Sequence, residues 1–149
     1  MSGTATPDDT RRGVLIEAAT IGVTTGAYGI SFGALSVTSG LSVWQTMALS
    51  ALMFTGASQF ALVSVLAGGG SAVAAVAGSA LLGLRNLFYG LRMRQILQPS
   101  AALSVPAAQL TIDESTAMAL AHYDRPEPRP ALAFWSTGLS VFVLWNLGS

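Results

Sequence analysis

"FTGASQF", residues 54–60, breaks an apolar stretch with five small or polar residues in a row: Thr55, Gly56, Ala57, Ser58 and Gln59. A soluble core has no need of that interruption, and a simple membrane anchor is weakened by it. Working outward, no Asp, Glu, Lys, Arg or His occurs anywhere from residue 18 to residue 84. A soluble domain keeps its outer face wet with charge, at about a quarter of its residues. Here the charged fraction is 9% and the mean hydropathy +0.58, so membrane-length hydrophobic segments are the reading that fits.

Four such segments can be marked, at about residues 13–37, 43–67, 71–91 and 131–149. "GLS" (40–42) separates the first two and "GGG" (68–70) the next two. The polar start, residues 1–12, reads as a disordered tail. It is not a cleaved signal peptide, because the following run is too long and lacks a convincing cleavage site. Residues 92–130 hold most of the charge and five of the six prolines, and read as a linker with a short surface helix around "LTIDESTAMALAHY". Thr111 is placed to cap that helix with Glu114 as its capping-box partner. "DRPEPRP" (124–130) stops it, since proline cannot continue a helix. "FVLWNLGS" (142–149) ends inside an apolar run without a polar flank, which suggests a C-terminally truncated chain or half of an assembly. The fold class expected is all-α: a polytopic helical membrane protein with close-packed Gly/Ala-rich helices.

Zero net charge gives nucleic-acid binding no electrostatic support. The absence of Cys removes thiolate nucleophiles, disulfides and thiolate metal sites. The single His122 lies in the polar linker and makes no metal cluster by itself, so neither a metal nor a cofactor is expected. No carboxylate pair or Ser/His arrangement suggests an intramembrane enzyme, and no nucleotide-binding loop suggests ATP hydrolysis.

Small residues recur at helical steps. Gly22, Gly26, Gly29 and Gly33 are spaced four, three, four, as are Ser79, Gly83, Asn86 and Gly90, and Ala51, Thr55 and Ser58 begin the same series. Such steps put small side chains on one helix face, which lets membrane helices approach closely. Arg11 and Arg12 ahead of the first segment place the N-terminus in the cytoplasm by the positive-inside rule. Three full crossings would then put Arg92 and Arg94 outside, against the same rule. The conflict vanishes if segment two is re-entrant, dipping in and returning at "TGASQ"; the rival is an unbroken helix whose Thr55, Ser58 and Gln59 bond to neighbours. Irregular backbone at membrane depth needs cover from protein or water, and broken helices of that kind form transporter substrate sites.

Three ordered stretches resemble the AzlC family, the large subunits of branched-chain amino acid exporters: "AYGISFGALSVTSGLSVWQTMALSALMFTGASQFA" (27–61), "LLGLRNLFYGLRM" (81–93) and "LTIDESTAMAL" (110–120). The likeness covers most of the chain from Gly13 onward. It departs at Tyr28-Gly29, where the family often has proline before the glycine, and this puts a kink in segment one in doubt. The resemblance implies a multi-pass permease of the bacterial inner membrane, a small AzlD-like membrane partner, and a substrate among valine, leucine, isoleucine and methionine. Many members are longer than this chain.

Arg85 is the most informative single residue, because a charge within a membrane segment is costly unless paired and is a functional candidate. Its plain reading is snorkelling toward an interface. Tyr89 lies one turn on, and Arg is suited to holding a carboxylate in bidentate fashion. Thr55, Gly56, Ser58 and Gln59 offer neutral donors and acceptors for a zwitterion, and Asn86 either joins them or bridges helices. Phe32, Phe54 and Phe60 are available for an apolar pocket. Glu17, Asp113 and Glu114 are coupling or gating candidates; their alternatives are an interfacial side chain for Glu17 and helix capping for the other two. The competing reading for the whole chain is a membrane scaffold that transports nothing and stabilises its small partner.

Overall fold

The computed structural model describes residues 7–125 and 127–149, all helix and loop, with no strand among the described residues. Among the described residues seven helices follow in order: α1 Pro7–Thr38, α2 Val43–Leu52, α3 Gly56–Ala67, α4 Ala72–Leu97, α5 Ala101–Gln109, α6 Asp113–Ala121 and α7 Pro130–Gly148. Three of them, α1, α4 and α7, are long and apolar enough to cross a membrane. At 1.5 Å per residue α7 reaches ~28 Å and α4 ~39 Å, against a hydrocarbon core of ~30 Å. The other four reach only ~14–18 Å each, half the depth.

The turns follow from local chemistry. Gly40 (φ 94°) and Gly69 (φ 76°) take the left-handed backbone that ends α1 and α3. Ser42 then starts α2 with a capping box: its Oγ accepts from the Gln45 N–H at 3.2 Å, and Gln45 Oε1 accepts from the Ser42 N–H at 2.8 Å. Ser71 caps α4 by accepting from the Ala74 N–H. Pro130, which has no N–H to lose, occupies the first turn of α7.

α1 and α7 pack side by side in parallel. A methyl group added at Gly22 would strike Ser140, at Gly26 Leu144, at Gly29 the carbonyl of Trp145, and at Gly33 that of Ser149. The glycine steps of α1 are therefore a packing face. Gly83 and Gly90, assigned the same role, pack less closely. The former meets only Ser58 Oγ at 3.7 Å and the latter nothing within 4 Å, because Gly90 lines an open groove between α4 and α5.

The apolar stretch around residues 54–60 is broken. α2 begins near the end of α1, where Ser36 and Thr46 share a 2.7 Å hydroxyl bond, and descends beside the end of α7, where Ser50 bonds Ser149 at 2.9 Å. The chain reverses at residues 53–55, and α3 climbs back: Leu66 lines the same groove as Leu41 and Gln45. Reversal ends the helical ladder of α2: Leu49 O still accepts from the Met53 N–H at 3.0 Å, and the carbonyls after it lose their helical donors. Gln59 Nε2 adds a second bond to Leu49 O at 2.8 Å and reaches Ser50 O at 3.4 Å, and Gln109 Nε2, from α5, donates to Ala51 O at 2.8 Å. These bonds satisfy the exposed backbone that a break at membrane depth creates.

Residues 92–130 correct the sequence reading most. α4 continues to Leu97, and what looked like a linker with a surface helix is a second half-depth hairpin, entering from the opposite end. α5 runs inward along α4, bringing Gln109 to Ala51; α6 runs back out, from Asp113 beside Arg85 to His122 beside Glu17. α6 starts at Asp113, not at a Thr111 cap. Thr111 Oγ1 donates instead to Ala107 O, and Ser115 Oγ accepts from the Ile112 N–H while donating to Leu110 O. At the other extreme, α1 begins at Pro7, so residues 7–12 are helical rather than tail; residues 1–6 lie outside the described residues.

This path returns Arg92 and Arg94 to the end that holds Arg11 and Arg12, where Arg92 lies 5.6 Å from the centre of the Tyr123 ring. Arg125 and Arg129 follow α6 at that end. The outer face of α4 presents Val73, Leu81, Leu87 and Phe88, each at least 60% exposed, an apolar surface of the kind that faces lipid rather than water.

Candidate functional site

The two hairpin tips meet at mid-depth, and a cavity of about 150 Å³ lies between them. Phe54, Thr55, Gly56 and Ala57 contribute from the first tip, and Ile112, Asp113 and Glu114 from the second. Arg85 and Asn86 come from the middle of α4, Thr25 from α1, and Val141 and Trp145 from α7. Every span and both hairpins therefore reach it.

Arg85 is held by Asp113 through a 2.8 Å ion pair between Nη2 and Oδ2. This supplies the internal partner that a charge at this depth requires. It uses one nitrogen of the guanidinium, Nη2, and leaves the Nε N–H without a partner. Arg85 Nε and Asp113 Oδ1 are buried and have no hydrogen-bond partner, and the same holds for Thr55 Oγ1 and Trp145 Nε1. Proteins pair nearly all such atoms. Four orphans around one cavity mark it as a place for a polar ligand or for water.

The remaining candidates divide. Thr55, Gly56, Arg85, Asn86, Asp113 and Glu114 line the cavity as a group. Ser58 and Gln59 are buried behind the first tip; Gln59 spends its amide on the α2 carbonyls, and Ser58 Oγ faces α4 near Gly83. Tyr89 is not among the lining residues, although one helical turn separates it from Arg85. Glu17 is far from the cavity and bonds His122 Nε2 at 2.9 Å. Of the three phenylalanines, Phe54 reaches the cavity, whereas Phe32 and Phe60 pack on Trp145 and fix its ring.

Sequence reasoning missed Thr25, Ile112, Val141, Trp145 and the buried His122. Trp145 carried one usable signal, a side chain with a single N–H donor deep in an apolar run. His122 carried none, since its linker-like surroundings disguise a residue only 1% exposed. Among the described residues no group of three His, Cys, Asp or Glu side chains could hold a metal ion.

No curated protein matches the chain, and no solved structure does. A family model does, that of the AzlC protein, over residues 20–149. The matched region contains both hairpins, the two later spans and every residue lining the cavity. The chain thus belongs to the AzlC family, a family associated with membrane transport.

Proposed function

We propose that the protein is the large subunit of a secondary transporter that exports branched-chain amino acids across the bacterial cytoplasmic membrane, together with a small AzlD-like membrane subunit. The observation that carries the reading is the polar cavity with four orphaned atoms, set where two half-depth hairpins from opposite ends meet. Discontinuous helices with their ends turned to a midplane site are the usual construction of secondary transporters. Phe54, Val141 and Trp145 supply an apolar wall for a branched side chain. One methylene is worth roughly 1–3 kcal/mol in such a pocket, too little to reject valine while admitting leucine. The substrate class therefore spans valine, leucine, isoleucine and methionine. The N-terminus is assigned to the cytoplasm because six of the seven arginines gather at its end of the bundle. Among the coupling candidates, Glu114 is the carboxylate that meets the cavity without a salt bridge of its own; Asp113 is committed to Arg85, and Glu17 to His122.

The test uses cells that lack their own branched-chain exporters, given a leucine- or valine-containing dipeptide. Faster appearance of the free amino acid outside, dependent on both subunits, is expected. Unchanged export with both proteins in the membrane refutes the transport reading and favours the scaffold. That alternative also predicts that Thr55→Val leaves function intact, whereas the transport reading predicts a loss.

A further inference from the structure

Two helix starts converge on the cavity, and they differ in charge. Each carries a partial positive charge and unpaired backbone N–H groups. α6 answers its own with Asp113 and Glu114 in its first turn. α3 has no acidic residue in its first turn, and the Thr55 side chain makes no capping bond. The start of α3 nonetheless faces the cavity through Thr55, Gly56 and Ala57. Two further donors lie on the same lining: the Thr55 hydroxyl, which is buried and unpartnered, and the indole N–H of Trp145, unpartnered on a residue only 3% exposed. The first tip thus lacks an anion. The second tip has the opposite imbalance, with two carboxylates set against the single cation Arg85, and Asp113 Oδ1 unpartnered.

We infer that the cavity binds an α-amino acid zwitterion in one orientation: the carboxylate against Thr55, the start of α3 and Trp145, and the ammonium against Asp113 and Glu114. This rests on the transport reading and adds to it the poles of the site. The substrate's carboxylate completes the helix start that the protein leaves without an acid, as anions do at such termini. Its ammonium takes up the excess negative charge of the second tip. Arg85 is a positioning residue here, holding Asp113 in place through the Nη2–Oδ2 ion pair. One substrate therefore bridges both hairpins, and neither pole alone suffices.

The assignment is tested by pairing ligand groups with residues. Binding to the full chain, reconstituted with its small partner subunit in lipid nanodiscs, is measured for leucine, for leucinamide, which lacks the carboxylate, and for 4-methyl-2-oxopentanoate, which lacks the ammonium. Thr55→Val and Trp145→Phe are expected to weaken leucine and the keto acid about tenfold each, the worth of one charge-assisted hydrogen bond, and to weaken leucinamide less, because its amide carbonyl is a neutral acceptor. Glu114→Gln is expected to weaken leucine and leucinamide by a similar factor and to spare the keto acid. Equal losses for all three ligands in every variant, with unchanged melting temperature, would overturn the pole assignment while leaving amino acid binding intact. A reversed pattern would overturn it as well. Failure of the folded wild-type protein to bind any of the three ligands would remove the transport reading itself, and the pole assignment with it.

Discussion

The contact between α1 and α7 yields the sharpest prediction. A Cβ at position 29 would lie 2.5 Å from the Trp145 carbonyl oxygen, where ordinary contact begins at 3.4 Å. Gly29→Ala therefore requires the two helices to part by about 0.9 Å, the difference between those distances. The obstacle is backbone, so no side-chain rotation relieves it. Overpacking of this kind costs ~1–3 kcal/mol, and the helix gains back ~1 kcal/mol because alanine is the better helix former. Contact with rigid backbone puts the cost in the upper part of its range, for a net loss of ~1–2 kcal/mol. Gly78→Ala is the control: nothing lies within 4 Å of its added carbon, so only the gain of up to ~1 kcal/mol remains. Unfolding of the purified protein in mixed micelles of rising sodium dodecyl sulfate, followed by tryptophan fluorescence, should rank Gly78→Ala at or above wild type and Gly29→Ala below both. If Gly29→Ala were as stable as wild type, or if both variants fell equally, close packing of α1 on α7 through the glycine face would be refuted.

The link between the hairpin tips and the ion pair at the cavity give two more tests. Gln109→Leu keeps the size of the side chain but strips the donor from Ala51 O, at ~1–3 kcal/mol. Amide hydrogen exchange should then rise at residues 50–56 before it rises elsewhere, and unchanged exchange there would show that Gln109 does not tie the tips. Arg85→Ala leaves Asp113 an uncompensated charge at depth, with ~3–5 kcal/mol of destabilisation expected for a buried pair and less for one that is part-exposed. Adding Asp113→Asn to that variant should recover stability but not export. A double variant no more stable than Arg85→Ala alone would mean that the two side chains do not depend on each other.

Much of the architecture was legible along the chain, and the physical reason is local. Lack of charge from residue 18 to 84 can only suit a hydrocarbon surround, glycines at helical steps can only make a shallow face, and "TGASQ" was open to reading as a break because small and polar residues have no use in a lipid-facing turn. The return of Arg92 and Arg94 to the N-terminal end followed from the same arginine count that the structure satisfies with a re-entrant first hairpin. Residues 101–121 were opaque for a related reason. Proline, serine and two acids compose an exposed linker as readily as a buried polar hairpin tip, and composition does not register what surrounds a residue. Arg85 stood out as a candidate by its depth alone. That it pairs with Asp113, that Tyr89 misses the cavity while Trp145 enters it, and that Glu17 meets a buried His122 depend on how α4, α6 and α7 are placed about one another. Those placements are set by packing and hydrogen bonds between residues 28 to 105 positions apart, which no local pattern encodes.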